Sequence, residues 1–245
     1  MTLVKAVRMG KFAPISSCYL IYERKLLFVS GELWYINYMQ IAVSIEPYLA
    51  VEKVKLIQYI ENIIKIAQKN QRVCLHFDYF KPNQDAFRLV QSYTRQIDID
   101  LHLMQEPAPS VVGFRSVSYD VKNSERKGLM DSLRMVSSQA RGLVLDLGCV
   151  IDNYENLIRT AKYIIVMTVK CGKSGQVFQA SALKLIPKVR QLNPQAVIIV
   201  DGGVNESNIH LLKEAGVDVA VVGNYAKQCY ENGTLEIGIN RLLHN

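Results

Sequence analysis

The sequence predicts an α/β fold, a (β/α)8 TIM barrel with a short N-terminal β extension. Three observations carry that expectation. Eight apolar strand candidates recur between residues 40 and 222, helical patterns lie between them, and histidines and aspartates collect at strand ends. Strands alternating with helices imply a parallel sheet with right-handed crossovers, and about eight such units close into a barrel.

Residues 1–39 stand apart from this beat. Cys18-Tyr19-Leu20-Ile21-Tyr22 and Leu26-Leu27-Phe28-Val29 flank a charged Glu23-Arg24-Lys25 turn, and Gly31-Glu32 precedes Leu33-Trp34-Tyr35-Ile36. That is the pattern of a β meander, placed either over the barrel's base or against a second subunit. The barrel strands are expected at 40–45, 72–78, 97–103, 115–120, 141–146, 162–169, 196–201 and 217–222. The clearest helix spans 50–68, where Val51, Val54, Ile57, Ile60, Ile63, Ile64 and Ala67 recur at helical spacing. Asn123-Ser124 opens another, and Asn205-Glu206-Ser207 opens one that ends before Gly216. A doubly wound sheet would show fewer strands and a Gly-rich first turn, and no GxGxxG follows residues 40–45. No linker divides the remainder, so the chain divides into an extension, 1–39, and one barrel domain, 40–245.

A hydrophobic content of 49% over 245 residues supplies a large core. The net charge of +7 favours anions, and its scatter along the chain points to a phosphorylated small molecule rather than nucleic acid. Cysteines 18, 74, 149, 171 and 229 form no CxxC pair, which suits a reducing cytoplasm. No apolar stretch is long enough to span a bilayer, and no secretory segment opens the chain. These features describe a cytoplasmic protein without nucleic-acid or membrane partners.

The candidate chemistry begins at Val73-Cys74-Leu75-His76-Phe77-Asp78. Residues two apart share a strand face, so His76 and Asp78 converge at its end. His102 closes a second such run and Asp201 a third. Two imidazoles and two carboxylates at one barrel mouth make a divalent metal site of mixed N/O ligation, suited to Zn, Fe, Mn or Co. They also supply groups able to move protons. A phosphate site is expected at Gly172-Lys173-Ser174-Gly175, Gly202-Gly203 and Gly223-Asn224, because glycines let backbone N–H groups approach an anion. Ser44 is either a turn hydroxyl or a substrate contact. Met104 and Met167 are either core filler or a wall beside the reacting carbon. His210 and His244 fall in late helices, as surface residues.

These motifs resemble the ribulose-phosphate 3-epimerase family. Ile41-Ala42-Val43-Ser44-Ile45 resembles its opening strand, Leu75-His76-Phe77-Asp78 its H-x-D strand, and Lys81-Pro82-Asn83 the segment after it. Asp100-Leu101-His102-Leu103-Met104 matches its D-x-H-L-M. Val166-Met167-Thr168-Val169 with Gly172, Gly175-Gln176 and Phe178 resembles its V-M-T-V loop, and Val200-Asp201-Gly202-Gly203 its V-D-G-G. The resemblance covers about 40–230, in the right order. It implies one divalent metal ion on His76, Asp78, His102 and Asp201, with Asp78 and Asp201 as the acid/base pair. It implies C3 epimerisation of a ketose phosphate, D-ribulose 5-phosphate to D-xylulose 5-phosphate, through a cis-enediolate, and it suggests a homo-oligomer.

The chain also departs from the family pattern. The segment after Asp78 is shortened. Cys171 replaces the loop proline, Ser118 and Asp120 replace a fourth-strand histidine and glutamate, and Asp146-Leu147 replaces N-P. The shortened segment motivates an alternative six-carbon substrate such as allulose 6-phosphate. The altered phosphate loop motivates a non-catalytic sugar-phosphate-binding paralogue. The D-x-K-x-x-D signature of related decarboxylases is missing.

Overall fold

A computed structural model of the chain describes residues 3–5, 25–29, 32–36, 38–80, 83–104, 107–123, 134–171 and 175–245. It divides into two compact units, Met1–Met39 and Gln40–Asn245. In the first, strands β1 (Leu3–Lys5), β2 (Lys25–Val29) and β3 (Glu32–Ile36) form an antiparallel sheet in the order β1-β3-β2. Leu27 sits opposite Trp34 and Val4 opposite Tyr35. The expected strand at 18–22 lies outside the described residues.

In the second unit the eight apolar runs become β4 (Gln40–Ser44), β5 (Val73–Tyr79), β6 (Ile99–Leu103), β7 (Ser116–Asp120), β8 (Arg141–Leu145), β9 (Tyr163–Met167), β10 (Val197–Asp201) and β11 (Val219–Val222). Each pairs parallel with its sequence neighbour, and β11 closes on β4, so the sheet is a closed barrel. Near-continuous apolar runs, rather than alternating ones, form these strands because both faces are covered. One face meets helices; the other fills the barrel with Ala42, Val144, Tyr163, Ile165, Ile199 and Val221.

The helix Lys53–Lys69 begins three residues later than its apolar pattern. Val51 and Val54 are exposed, and the buried stripe runs Leu56, Tyr59, Ile60, Ile63 and Ile64. Val54 is two positions from Leu56, about 200° around the helix, so it cannot share that stripe. The late helix is Ile209–Glu214 and ends before Gly216, as its pattern predicts. It starts beyond Asn205 because the Asn205 side chain first closes a turn, accepting the Ser207 N–H at 2.8 Å. Of the helix opened at Asn123-Ser124, residues 124–133 lie outside the described residues; Val121–Asn123 form a single 3₁₀ turn. Among the described residues no helix is long and apolar enough to cross a membrane.

Towards the N-terminal ends of the strands the barrel holds charge. Arg115, just before β7, donates Nε to Asp100 Oδ1 at 2.9 Å and a second guanidinium N–H to Asp100 Oδ2. Ser116 Oγ donates to the same carboxylate at 2.6 Å, and Arg115 Nη1 donates to Gln40 Oε1 at 2.7 Å. Burial opposes the guanidinium charge, but Asp100 more than offsets it and holds Arg115 above its ordinary pKa. The aspartate of the D-x-H run therefore belongs to a buried ion pair, one layer below its histidine.

Candidate active site

The barrel register brings the strand-end groups together. Asp78 on β5 lies opposite His102 on β6, and His76 opposite Ser44 on β4. Asp201 ends β10, with Met167 of β9 beside it. His76 Nε2 is 3.3 Å from Asp78 Oδ1 and 3.5 Å from Asp201 Oδ2, and His102 Nδ1 is 3.0 Å from Asp78 Oδ1. Each of the four residues offers one ligand atom, all within 4.8 Å of one another. Both histidines are buried, and Nδ1 of His76 has no partner among the described residues. Its Nε2 is thus the one outlet of that ring, aimed at the two carboxylates.

This donor set fits a divalent cation. Two imidazole nitrogens and two carboxylates, converging from three strands, are the mixed N/O ligation that Zn²⁺, Fe²⁺, Mn²⁺ or Co²⁺ accepts. The carboxylates are electrostatically unequal. Burial works against the Asp78 charge, yet His76 and the hydrogen bonds from His102 and His76 hold it far below the usual carboxylate range. Asp201 is lifted by burial, drawn down by His76 and pushed up again by Asp78, to about 6. Without a cation the two carboxylates thus stand in unequal electrostatic surroundings, one pulled down and the other pushed up.

Loop side chains hold both acids from behind. Asn83 Nδ2 donates to the Asp78 carbonyl at 2.8 Å, and the Phe80 N–H donates to Asn83 Oδ1 at 3.1 Å. Thr168 Oγ1 donates to the carbonyls of Asp201 and Gly202, at 3.0 and 2.5 Å. Lys81 and Pro82 lie outside the described residues. Thr168 and Asn83 escape a search for ligand types, since neither offers charge or metal affinity; only their places inside the V-M-T-V and K-P-N runs mark them.

The expected phosphate residues divide. Gly172 and Ser174 lie outside the described residues, and Gly175 adopts a positive φ of 77°. Gly202 and Gly203 have φ of 121° and 68°. A Cβ on Gly203 would sit 2.7 Å from Phe178 N, so the loop after β9 packs directly on this glycine. Gly203→Ala is expected to cost at least about 1–3 kcal/mol through the strained backbone, read as a lowered urea midpoint; an unchanged midpoint contradicts the packing. Gly223 and Asn224 begin the helix Asn224–Glu231 beside Ser44. Ser44 Oγ accepts the Glu46 N–H at 3.2 Å, the turn-hydroxyl geometry. Met167 is buried in the core cluster, and Met104 follows β6 half-buried. His210 and His244 are exposed.

A second polar group at the strand ends has no counterpart among the expected ligands. Asp120, Asp146 and Cys171 each bring one ligand-type atom within 4.8 Å of the others. Lys122 Nζ already pairs with Asp146 at 2.8 Å. Burial, with Asp146 adding to it, raises the Cys171 thiol and keeps it protonated.

Comparison with known proteins agrees with this geometry. The Ribulose-phosphate 3 epimerase family model matches residues 40–226. The ribulose-phosphate 3-epimerase of Helicobacter pylori is 32% identical over 140 residues, which span 53% of this chain and 64% of that enzyme, just under two thirds. The Aquifex aeolicus enzyme is 30% identical over 168 residues, 61% of this chain and 75% of its own length. The Bacillus subtilis enzyme is 28% identical over 181 residues, 66% of this chain and 83% of its own length. Among solved structures, the tryptophan synthase alpha-subunit of Pyrococcus furiosus superposes with a TM-score of 0.57 at 14% identity, covering 85% of this chain and 98% of its own. The 3-hexulose-6-phosphate synthase of Salmonella typhimurium does so with a TM-score of 0.57 at 9% identity, covering 84% and 97%. At such identities these two speak for the barrel fold alone.

Proposed function

Because the chain belongs to the ribulose-phosphate 3-epimerase family, we propose that it is a sugar-phosphate epimerase, inverting C3 of D-ribulose 5-phosphate to give D-xylulose 5-phosphate. The observation that carries this reading is the convergence of Asp78 and Asp201, from opposite runs of the chain, on one buried point with His76 and His102. An epimerase needs two groups that remove and return a proton on opposite faces of one carbon. Two carboxylates from different strands can meet that requirement.

His76, Asp78, His102 and Asp201 would hold a divalent cation. When bound, it would supply Lewis-acid stabilisation of the charge that develops as the C3 proton leaves. The chain's own residues do the rest. One aspartate takes the C3 proton; the other, across the sugar, returns one to the opposite face, and the roles reverse for the opposite reaction. Asn83 and Thr168 hold the two acid-bearing strand ends in place, so little reorientation is needed at each turnover. The two buried histidines line the floor of the site, and the low dielectric around them strengthens their interactions with the carboxylates. Glycines 175, 202, 203 and 223, with the start of the helix at Asn224, form the remote phosphate grip. Its binding energy orients C3 between the acids.

The test is turnover of a panel of five- and six-carbon ketose phosphates by the full chain, with Zn²⁺, Fe²⁺, Mn²⁺ or Co²⁺ added after chelation. Ribulose 5-phosphate is expected to be the best substrate, with activity lost on chelation and restored by metal. Failure on every ketose phosphate, with about one equivalent of metal bound, overturns the reading.

A further inference from the structure

Three positions at which the chain departs from the family pattern meet in space. Asp120 ends β7, Asp146 follows β8 and Cys171 lies in the loop after β9, and their ligand-type atoms fall within 4.8 Å of one another. All three stand at the end of the barrel that carries Asp78 and Asp201. Leu145 pairs with Val166 and Met167 with Asp201, so Asp146 is level with Asp201 two strands away, about 10 Å by backbone spacing. Around the closed barrel β7 lies four strands from β11 in either direction, directly across the mouth from Gly223 and Asn224.

This wall holds a donor as well as acceptors. Lys122, in the 3₁₀ turn after β7, donates Nζ to Asp146 Oδ2 at 2.8 Å, and its backbone N–H donates to Asp120 Oδ1 at 2.8 Å. Asp146 Oδ1 accepts the Leu147 N–H at 2.8 Å, which fixes that carboxylate. Burial works against the Asp146 charge, yet Lys122 and the Leu147 N–H hold it below its ordinary pKa, and the bond to Asp146 in turn raises Lys122. The Lys122 side chain is 51% exposed against 17% for Asp146, so the ammonium reaches solvent at this rim with two N–H groups beyond the one given to Asp146. Two carboxylates against one ammonium disfavour a phosphate here. A hydroxyl, which both accepts and donates, matches an ammonium beside a carboxylate.

We propose that Lys122, positioned by Asp146, is a specificity-determining residue whose ammonium donates to the hydroxyl at the unphosphorylated C1 end of the ketose phosphate, while that hydroxyl donates to Asp120. This rests on the epimerase reading. With the phosphate held at Gly223 and Asn224 and C3 between Asp78 and Asp201, the C1 end points across the mouth to β7 and β8. A hydrogen bond to a charged group that stays partly in solvent contributes at the low end of its range, about 10-fold in kcat/KM.

The experiment compares the full chain with Lys122→Met and Lys122→Arg on the ketose phosphate it turns over best and on the 1-deoxy analogue of that sugar, which lacks the C1 hydroxyl. Wild type is expected to prefer the parent by at least about 10-fold in kcat/KM. Lys122→Met is expected to lose about 10-fold on the parent, with bound metal and thermal midpoint unchanged, and to lose nothing on the 1-deoxy analogue. That non-additivity is one a merely structural role does not produce. Lys122→Arg, which keeps the charge and its donors, recovers part of the loss. Equal losses on both substrates, or none on the parent, overturn the assignment while leaving the epimerase reading standing. A wild-type chain that binds metal yet turns over no ketose phosphate overturns both.

Discussion

Asp201→Asn is expected to lower ketose phosphate turnover by about 10²–10⁴-fold, the usual contribution of one positioned proton-transfer group, and to leave the barrel folded. Asparagine matches the shape of aspartate, and the backbone carbonyl of residue 201 remains held by Thr168 Oγ1. What disappears is a group able to carry a proton. In the metal-free site burial and the charge of Asp78 lift Asp201, against the pull of His76, to about 6. Circular dichroism and the thermal midpoint report the fold, and steady-state turnover reports the chemistry. Near-normal turnover in a folded variant would rule out the two-aspartate mechanism.

The largest effect on stability is expected at Asp100. Its carboxylate is buried and accepts from Arg115 Nε and Ser116 Oγ, while Arg115 is itself almost wholly enclosed. Asp100→Ala leaves that guanidinium charged and without its main partner, a change that costs on the order of 3–5 kcal/mol. Chemical denaturation measures it directly. The double variant Asp100→Leu with Arg115→Met replaces both charges by apolar groups and is expected to recover most of the loss, because a buried ion pair is weakly stabilising against a well-packed apolar pair. If Asp100→Ala unfolds within about 0.5 kcal/mol of the native chain, a range typical of surface changes, the buried pair carries no structural weight.

These two aspartates also show how far the sequence could be read. Asp100 and Asp78 both sit in alternating strand-end runs with a histidine two residues away, and nothing in their local spelling separates a buried ion-pair partner from a metal ligand. The separation depends on Arg115, fifteen residues on, reaching into the lower part of the barrel. Met167 shows a similar ambiguity: it belongs to the core cluster and also stands beside Asp201. The helix Lys53–Lys69 was legible from its period, but its first turn was not, since Val51 and Val54 imitate a stripe whose real centre is Leu56, Tyr59 and Ile60.

Asn83 and Thr168 figure in the sequence only as members of the K-P-N and V-M-T-V runs; their hydrogen bonds place them behind Asp78 and Asp201.

By itself the amino-acid order determined the beat of eight parallel strands, the identity of the two histidines and two aspartates, and the end of the barrel on which they lie. Those features follow from period and alternation, which are local and survive in a single sequence. Tertiary structure alone decided which carboxylates face one another, how unequal their electrostatic surroundings are, and which polar groups fasten the fold. Each of these depends on distances between strands remote in sequence and on burial in a common low-dielectric interior, neither of which neighbouring residues encode.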